Sequence, residues 1–192
     1  MSSVIEPELV HRAAAGDRAA TSALLTEVRP GLVRYCRARL GRIGGAYATA
    51  DDVAQEVCLA VLRALPRYRD QGSPFAAFVY GIAAHKVADA QRAAIRDSAV
   101  TPTDAPLEQP DAAPGPEQQA VATDLARRLS VLLKKLPEAQ REIILLRVAV
   151  GLSADEVGAI VGMTAAAVRV AQSRALARLR TLAGDALDEV AA

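Results

Sequence analysis

Four arginines, Arg169, Arg174, Arg178 and Arg180, fall within residues 164–180, and no acid interrupts them. A guanidinium carries paired, planar donors that match guanine edges and phosphate oxygens. The segment opens on Thr164, a helix-capping residue type, followed by the small Ala165, Ala166 and Ala167, which let a helix backbone approach a duplex closely. At helical spacing Val168, Ala171, Ala175, Leu176 and Leu179 share an inner face. Arg169, Ser173 and Arg174 project on the other side. Just upstream, Ser153-Ala154-Asp155-Glu156 spells a capping box. A short apolar helix with Val157, Ile160 and Val161 then reaches Gly162, a turn residue. Short helix, tight turn and longer arginine-bearing helix follow the helix-turn-helix plan, whose second helix enters the major groove. A plain helical hairpin with a solvated face is the alternative. Turn spacing, capping box and the acid-free second helix together favour DNA binding. The candidate duplex contacts are Thr164, Ala165, Ala166, Arg169, Val170, Ser173 and Arg174.

No other cluster suits catalysis. Cys36 and Cys58 sit inside helical patterns and read as small core residues, and His11 and His85 lie far apart. No Ser/His/Asp, Cys/His or metal-type constellation supports a helical hydrolase, so we expect neither an enzyme nor a cofactor. No stretch of about 18 apolar residues suggests a membrane span, and the start lacks the order of a signal peptide. We therefore expect a cytoplasmic protein with no small-molecule substrate and no direct membrane insertion.

Around these residues every pattern is helical, and the expected fold is all-α. Leu9, Val10 and Ala13 begin a short helix that ends near Gly16 and Asp17. A second spans about Arg18 to Leu40, with Pro30 a point of kinking. Gly41, Gly44 and Gly45 break the pattern, and Thr49 with Asp52 resembles a capping box for a helix carrying Val53, Val57, Ala60, Val61 and Ala64. Pro66 to Gly72 is a charged loop. Ser73 and Pro74 make a cap and a first helical residue for a helix to about Arg96. Residues 97–119 hold five of the ten prolines, five acids and no base. Such a stretch buries too little to offset its ordering entropy. It predicts a flexible acidic Pro-rich linker over 97–117 between two small helical domains, 1–96 and 118–192. In the second domain Val121, Leu125, Leu129, Leu132 and Leu136 form a stripe. Pro137 restarts a helix with Ile143, Ile144, Leu146 and Val148, closed by Gly151, and the last helix runs from Thr164 to about Leu182.

Five stretches make the chain recognisable. Leu136 to Arg147 (LPEAQREIILLR), Gly151 to Gly162 (GLSADEVGAIVG) and Ala167 to Arg180 (AVRVAQSRALARLR) resemble the C-terminal domain of the sigma-70 family. Asp51 to Glu56 (DDVAQE) and Ser73 to Ala83 (SPFAAFVYGIA) resemble its N-terminal core domain. Nothing resembling the middle domain of large sigma factors lies between, which is the layout of the extracytoplasmic-function (ECF, group 4) type. Val168 to Gln172 resembles the actinobacterial sigma-D-like branch.

The resemblance implies a sigma factor that binds core RNA polymerase through its β and β′ subunits and directs promoter-specific initiation. Asp51, Asp52, Gln55 and Glu56 resemble the surface that docks on the β′ clamp helices; acids at a helix start also complement its dipole. Arg69, Asp70, Phe78, His85, Lys86 and Arg92 resemble the face that opens and reads the −10 element. A flipped base needs an apolar or aromatic pocket and cationic phosphate contacts. Here Phe78 stands where tryptophan is common, and Ala84-His85 replaces a frequent Arg-Asn pair. The C-terminal helix resembles the reader of −35 duplex, with Ala171-Gln172 in place of a common Arg-Leu. The acidic linker resembles the segment threaded through the polymerase cleft, and the family commonly has an anti-sigma partner. The rival reading is a stand-alone helix-turn-helix regulator whose N-terminal half senses a ligand or dimerises.

Overall fold

A computed structural model describes residues 5–40, 50–100 and 128–191, with side chains through 96 and 184 in the latter two stretches. All regular elements among them are helical. Helix α1 (Pro7–Ala14) starts on a proline, whose missing N–H costs nothing in a first turn, and ends before Gly16 at φ 93°. Helix α2 (Arg18–Leu40) is capped by Asp17, whose carboxylate accepts the Ala19 and Ala20 N–H groups. It continues through the exposed Pro30, whose missing N–H forgoes one bond of the helix ladder. Helix α3 (Ala50–Ala64) passes into a single 3-10 turn, Leu65–Arg67, where only a loop was expected. Pro66 fits the start of such a turn, and Leu65 anchors it at 1% exposure.

Helix α4 (Phe75–Val100) begins one residue later than Ser73-Pro74 predicts and runs past Arg96. The Ala77 N–H binds the Pro74 carbonyl, so proline serves as the cap itself. The linker expected from residue 97 therefore opens with helix to Val100. Thr49, Gly41, Gly44, Gly45, Val121, Leu125 and the rest of the linker lie outside the described residues. Buried Leu24, Val28, Leu32, Val57, Val61, Val79 and Val87 form the centre of the N-terminal half.

The C-terminal half opens with helix α5 (128–134), in which Leu129 is exposed, so the expected stripe is buried at Leu136 and only partly before it. Helix α6 (Glu138–Ile144) changes into a π-helical turn, Leu145–Val150, that ends at Gly151 in the left-handed region. Nothing in the apolar spacing signals that widened turn. It brings Leu145 and Leu146 into the core and leaves Val148 at 61% exposure. Helix α7 (Ala154–Val161) carries the predicted capping box, Ser153 Oγ accepting from Glu156 N and Glu156 Oε2 from Ser153 N. Gly162 (φ 70°) makes the turn, and a Cβ on Gly158 would collide with the Met163 carbonyl. Helix α8 (Ala165–Ala191) extends beyond Leu182. Among the described residues no helix is long and apolar enough to cross a membrane, and no cluster of His, Cys, Asp or Glu gathers to hold a metal.

Candidate nucleic-acid interface

The helix-turn-helix is held from beneath. Val157 and Val168 are fully buried, and Leu136, Ile144 and Ala175 form a second small core with Leu133, Leu176 and Leu179 against it. This fixes the outer face of α8. Thr164 Oγ1 accepts the Ala167 N–H at 3.2 Å and caps the helix, as its residue type predicts. Arg169, Val170, Ser173 and Arg174 are exposed, with Val170 at 51%. Arg169 lies 3.8 Å from Asp155 across the turn, a loose pair between exposed groups. Arg174 has no partner among the described residues. Gln172 faces the other way. Its Oε1 accepts from Arg147 Nε at 3.0 Å, and Arg147 also donates to the Leu152 carbonyl. Arg147 thereby ties α8 to the loop before α7.

The N-terminal candidates divide between α3 and the start of α4. Asp51 receives a bidentate pair of bonds from Arg37, 2.8 and 2.6 Å long. Those bonds hold its carboxyl below the usual range. Asp52, Gln55 and Glu56 lie exposed on the same helix. Gln55 borders a shallow groove with Ser22, Leu25, Thr26, Arg29 and Cys58. Glu56 takes Lys86 at 3.1 Å, so the acidic patch and the −10 candidates meet edge to edge. Both cysteines are free thiols. Burial pushes Cys36 up to about 12, an inert core group, and Cys58 is half-buried.

Phe78 is half-buried against Tyr68, ring centroids 5.1 Å apart, and 5.6 Å from Phe75. Tyr68 meets Phe75 nearly edge-on at 5.2 Å. The sequence reading missed Tyr68; an aromatic in a charged loop ahead of Phe75 and Phe78 was the available signal. Arg69 donates to the Tyr68 carbonyl at 3.0 Å, and Asp70 accepts the Gly72 N–H at 2.9 Å, so both brace the loop. His85 is exposed about two turns beyond Phe78 on α4, and Arg92 pairs with Asp89. Loop and start of helix thus gather three rings, with Arg69 on the same loop. Such a surface suits an unstacked base and its phosphate.

Two separate candidate faces on an all-helical frame fit a helical DNA-binding protein. Residues 24–96 match "Sigma-70 region 2" and residues 126–179 match "Sigma-70, region 4". The chain is 58% identical over 172 residues to the ECF RNA polymerase sigma factor SigD of Mycobacterium tuberculosis, covering 90% of this chain and 81% of the relative. It is 56% identical over 178 residues to ECF sigma factor ShbA of Streptomyces griseus, covering 91% and 93%. A solved structure of CnrH in complex with the cytosolic domain of CnrY is similar with TM-score 0.66 and 26% identity, over 93% of this chain and 96% of that one. The chain belongs to the sigma-70 family, as an ECF sigma factor of the SigD-like branch. It directs RNA polymerase to promoters. A sigma region fills the N-terminal half, which sets aside the stand-alone regulator.

Proposed function

We propose that the two faces divide promoter recognition between them. Residues 1–96 act as one module, with Asp51, Asp52, Gln55 and Glu56 presented to the β′ clamp and Phe78, His85, Lys86, Arg92 and the Arg69-Asp70 loop receiving the melted −10 strand. Residues 118–192 act as the other, with Thr164, Ala165, Ala166, Arg169, Val170, Ser173 and Arg174 against −35 duplex. Residues 97–117 link them, and joining two weak sites raises the effective concentration of each at one promoter. The protein works in the cytoplasm without catalysing a reaction of its own. An anti-sigma protein is its expected regulator, as CnrY's complex with CnrH suggests.

The observation that carries this reading is the three-ring cluster of Tyr68, Phe75 and Phe78, with His85 and Lys86 about two turns further along α4. Permanganate footprinting of melted thymines on a promoter with holoenzyme tests it. Phe78→Ala should cut −10 reactivity about tenfold or more, given ~1–3 kcal/mol per stacked base, while duplex protection at −35 persists. Equal loss at both elements would contradict the division.

A further inference from the structure

The outer face of α8 carries one residue that neither packing nor charge accounts for. Val170 is 51% exposed. A valine at an open helix position has lower helix propensity than the alanines around it, and it gains no packing there. Its neighbours on that face are Ala166, Arg169, Ser173 and Arg174, all exposed and three or four residues away. No acid occurs between residues 164 and 180. Beneath the face Val168 and Ala175 have no exposure, which fixes the rotation of α8 about its axis. A β-branched side chain in a helix keeps essentially one χ1 rotamer, so the two γ-methyls of Val170 are held at a set place. Ala166 and Ser173, one turn to either side, are short, so a base edge can approach those methyls without a steric block.

We infer that Val170 is a specificity-determining residue that reads the C5-methyl of a thymine in the −35 element. The inference rests on the −35 reading above. Arg169 and Arg174 flank Val170 with positive charge, which suits a polyanion and opposes an apolar protein surface as what covers it. In the major groove thymine alone presents a methyl group. Cytosine has only C5–H at the same place and leaves a gap against valine. A purine sets its N7 acceptor there, and valine would strip that nitrogen of water without offering a hydrogen bond. The hydroxyl and guanidinium groups of Ser173 and Arg174 can bond to several bases or to phosphate. Val170 adds to them a discrimination that hydrogen bonding does not supply.

Transcription by core polymerase with the full chain, from templates carrying a randomised −35 element, tests this. Wild type should enrich thymine at one position that depends on Val170. Val170→Ala withdraws the γ-methyls and should flatten the preference at that position alone. The sharper probe changes the DNA and leaves the protein untouched. Deoxyuridine in place of that thymine keeps the base pair and the O4 acceptor and removes only the methyl. With wild type it should lower transcription about three- to fivefold, the worth of one buried methyl. With Val170→Ala the two templates should be equivalent. A −35 preference in which no thymine answers to Val170, or a deoxyuridine template as active as its thymine counterpart, overturns the inference and leaves the two-element reading standing. Loss of preference at every −35 position together, or weaker core association of Val170→Ala, also overturns it, since the side chain would then support the helix or meet a protein. A wild type with no −35 preference removes the −35 reading itself, and this inference with it.

Discussion

The two candidate DNA faces are prepared in opposite ways. On α3 and α4 the charged candidates already hold partners within the molecule: Asp51 with Arg37, Glu56 with Lys86, Arg92 with Asp89. On α8 the outward residues Val170, Ser173 and Arg174 are uncommitted among the described residues, and Arg169 is held only loosely. A stiff duplex presents its edges unchanged, so a rigid helix with available donors suffices to read it. A melted strand has no fixed shape, so its receiver must be ordered beforehand by ring contacts and surface ion pairs. Exposed pairs of that kind are worth only about 0–1 kcal/mol, and a phosphate can replace the carboxylate opposite a lysine or arginine.

The sharpest break in this comparison removes one face and spares the other. Val168→Asp places an unpaired carboxylate at a position with no exposure and should cost about 3 kcal/mol or more. Region 4 should lose its melting transition by calorimetry while pull-down on core polymerase through region 2 survives. A smaller but more pointed effect is expected at the acidic patch. Changing Asp52 and Glu56 together to lysine should weaken core association about tenfold or more in a competition assay, with duplex binding by α8 intact; undiminished co-purification would remove the patch from the polymerase interface.

Single arginines should act more mildly. Arg174→Ala or Arg169→Ala should cost about 1–3 kcal/mol at the −35 element, measured as promoter strength with core binding unchanged. The effect should fall on base-specific discrimination if the guanidinium meets a base, and on the salt slope if it meets a phosphate. Ser153→Ala removes half of the capping box and should lower region 4 stability by about 1 kcal/mol in denaturant melts. The smallest effect concerns Asp51. Its carboxyl is depressed in the folded state by Arg37, so its contribution is present above the unfolded value and is lost as pH falls through the folded one. Arg37→Ala should return the Asp51 titration, followed by NMR, towards the ordinary carboxylate range.

Much of this was legible in the sequence because the signals are local. Asp17, Gly16, Ser153 with Glu156, Gly162 and Thr164 mark helix ends by chemistry that acts within four residues, and α1, α2, α7 and the start of α8 follow them. The arginine face of α8 was legible for the same reason. Elements set by tertiary packing were not. The π turn at Leu145–Val150 has no counterpart in the apolar spacing, and the turn at Leu65–Arg67 depends on burying Leu65. Tyr68 acquires meaning only beside Phe75 and Phe78. Tyr35 and Glu142, 107 positions apart, carry no mark of their pairing at all.

One measurement bears most directly on the whole account: sequencing the 5′ ends of transcripts made by core polymerase with and without the purified chain. The account predicts starts that appear only with the chain and that share two upstream elements, with Arg174→Ala depleting dependence on the distal one and Phe78→Ala on the proximal. Identical starts in the presence and absence of the chain, or starts sharing one element that both substitutions weaken alike, would contradict it.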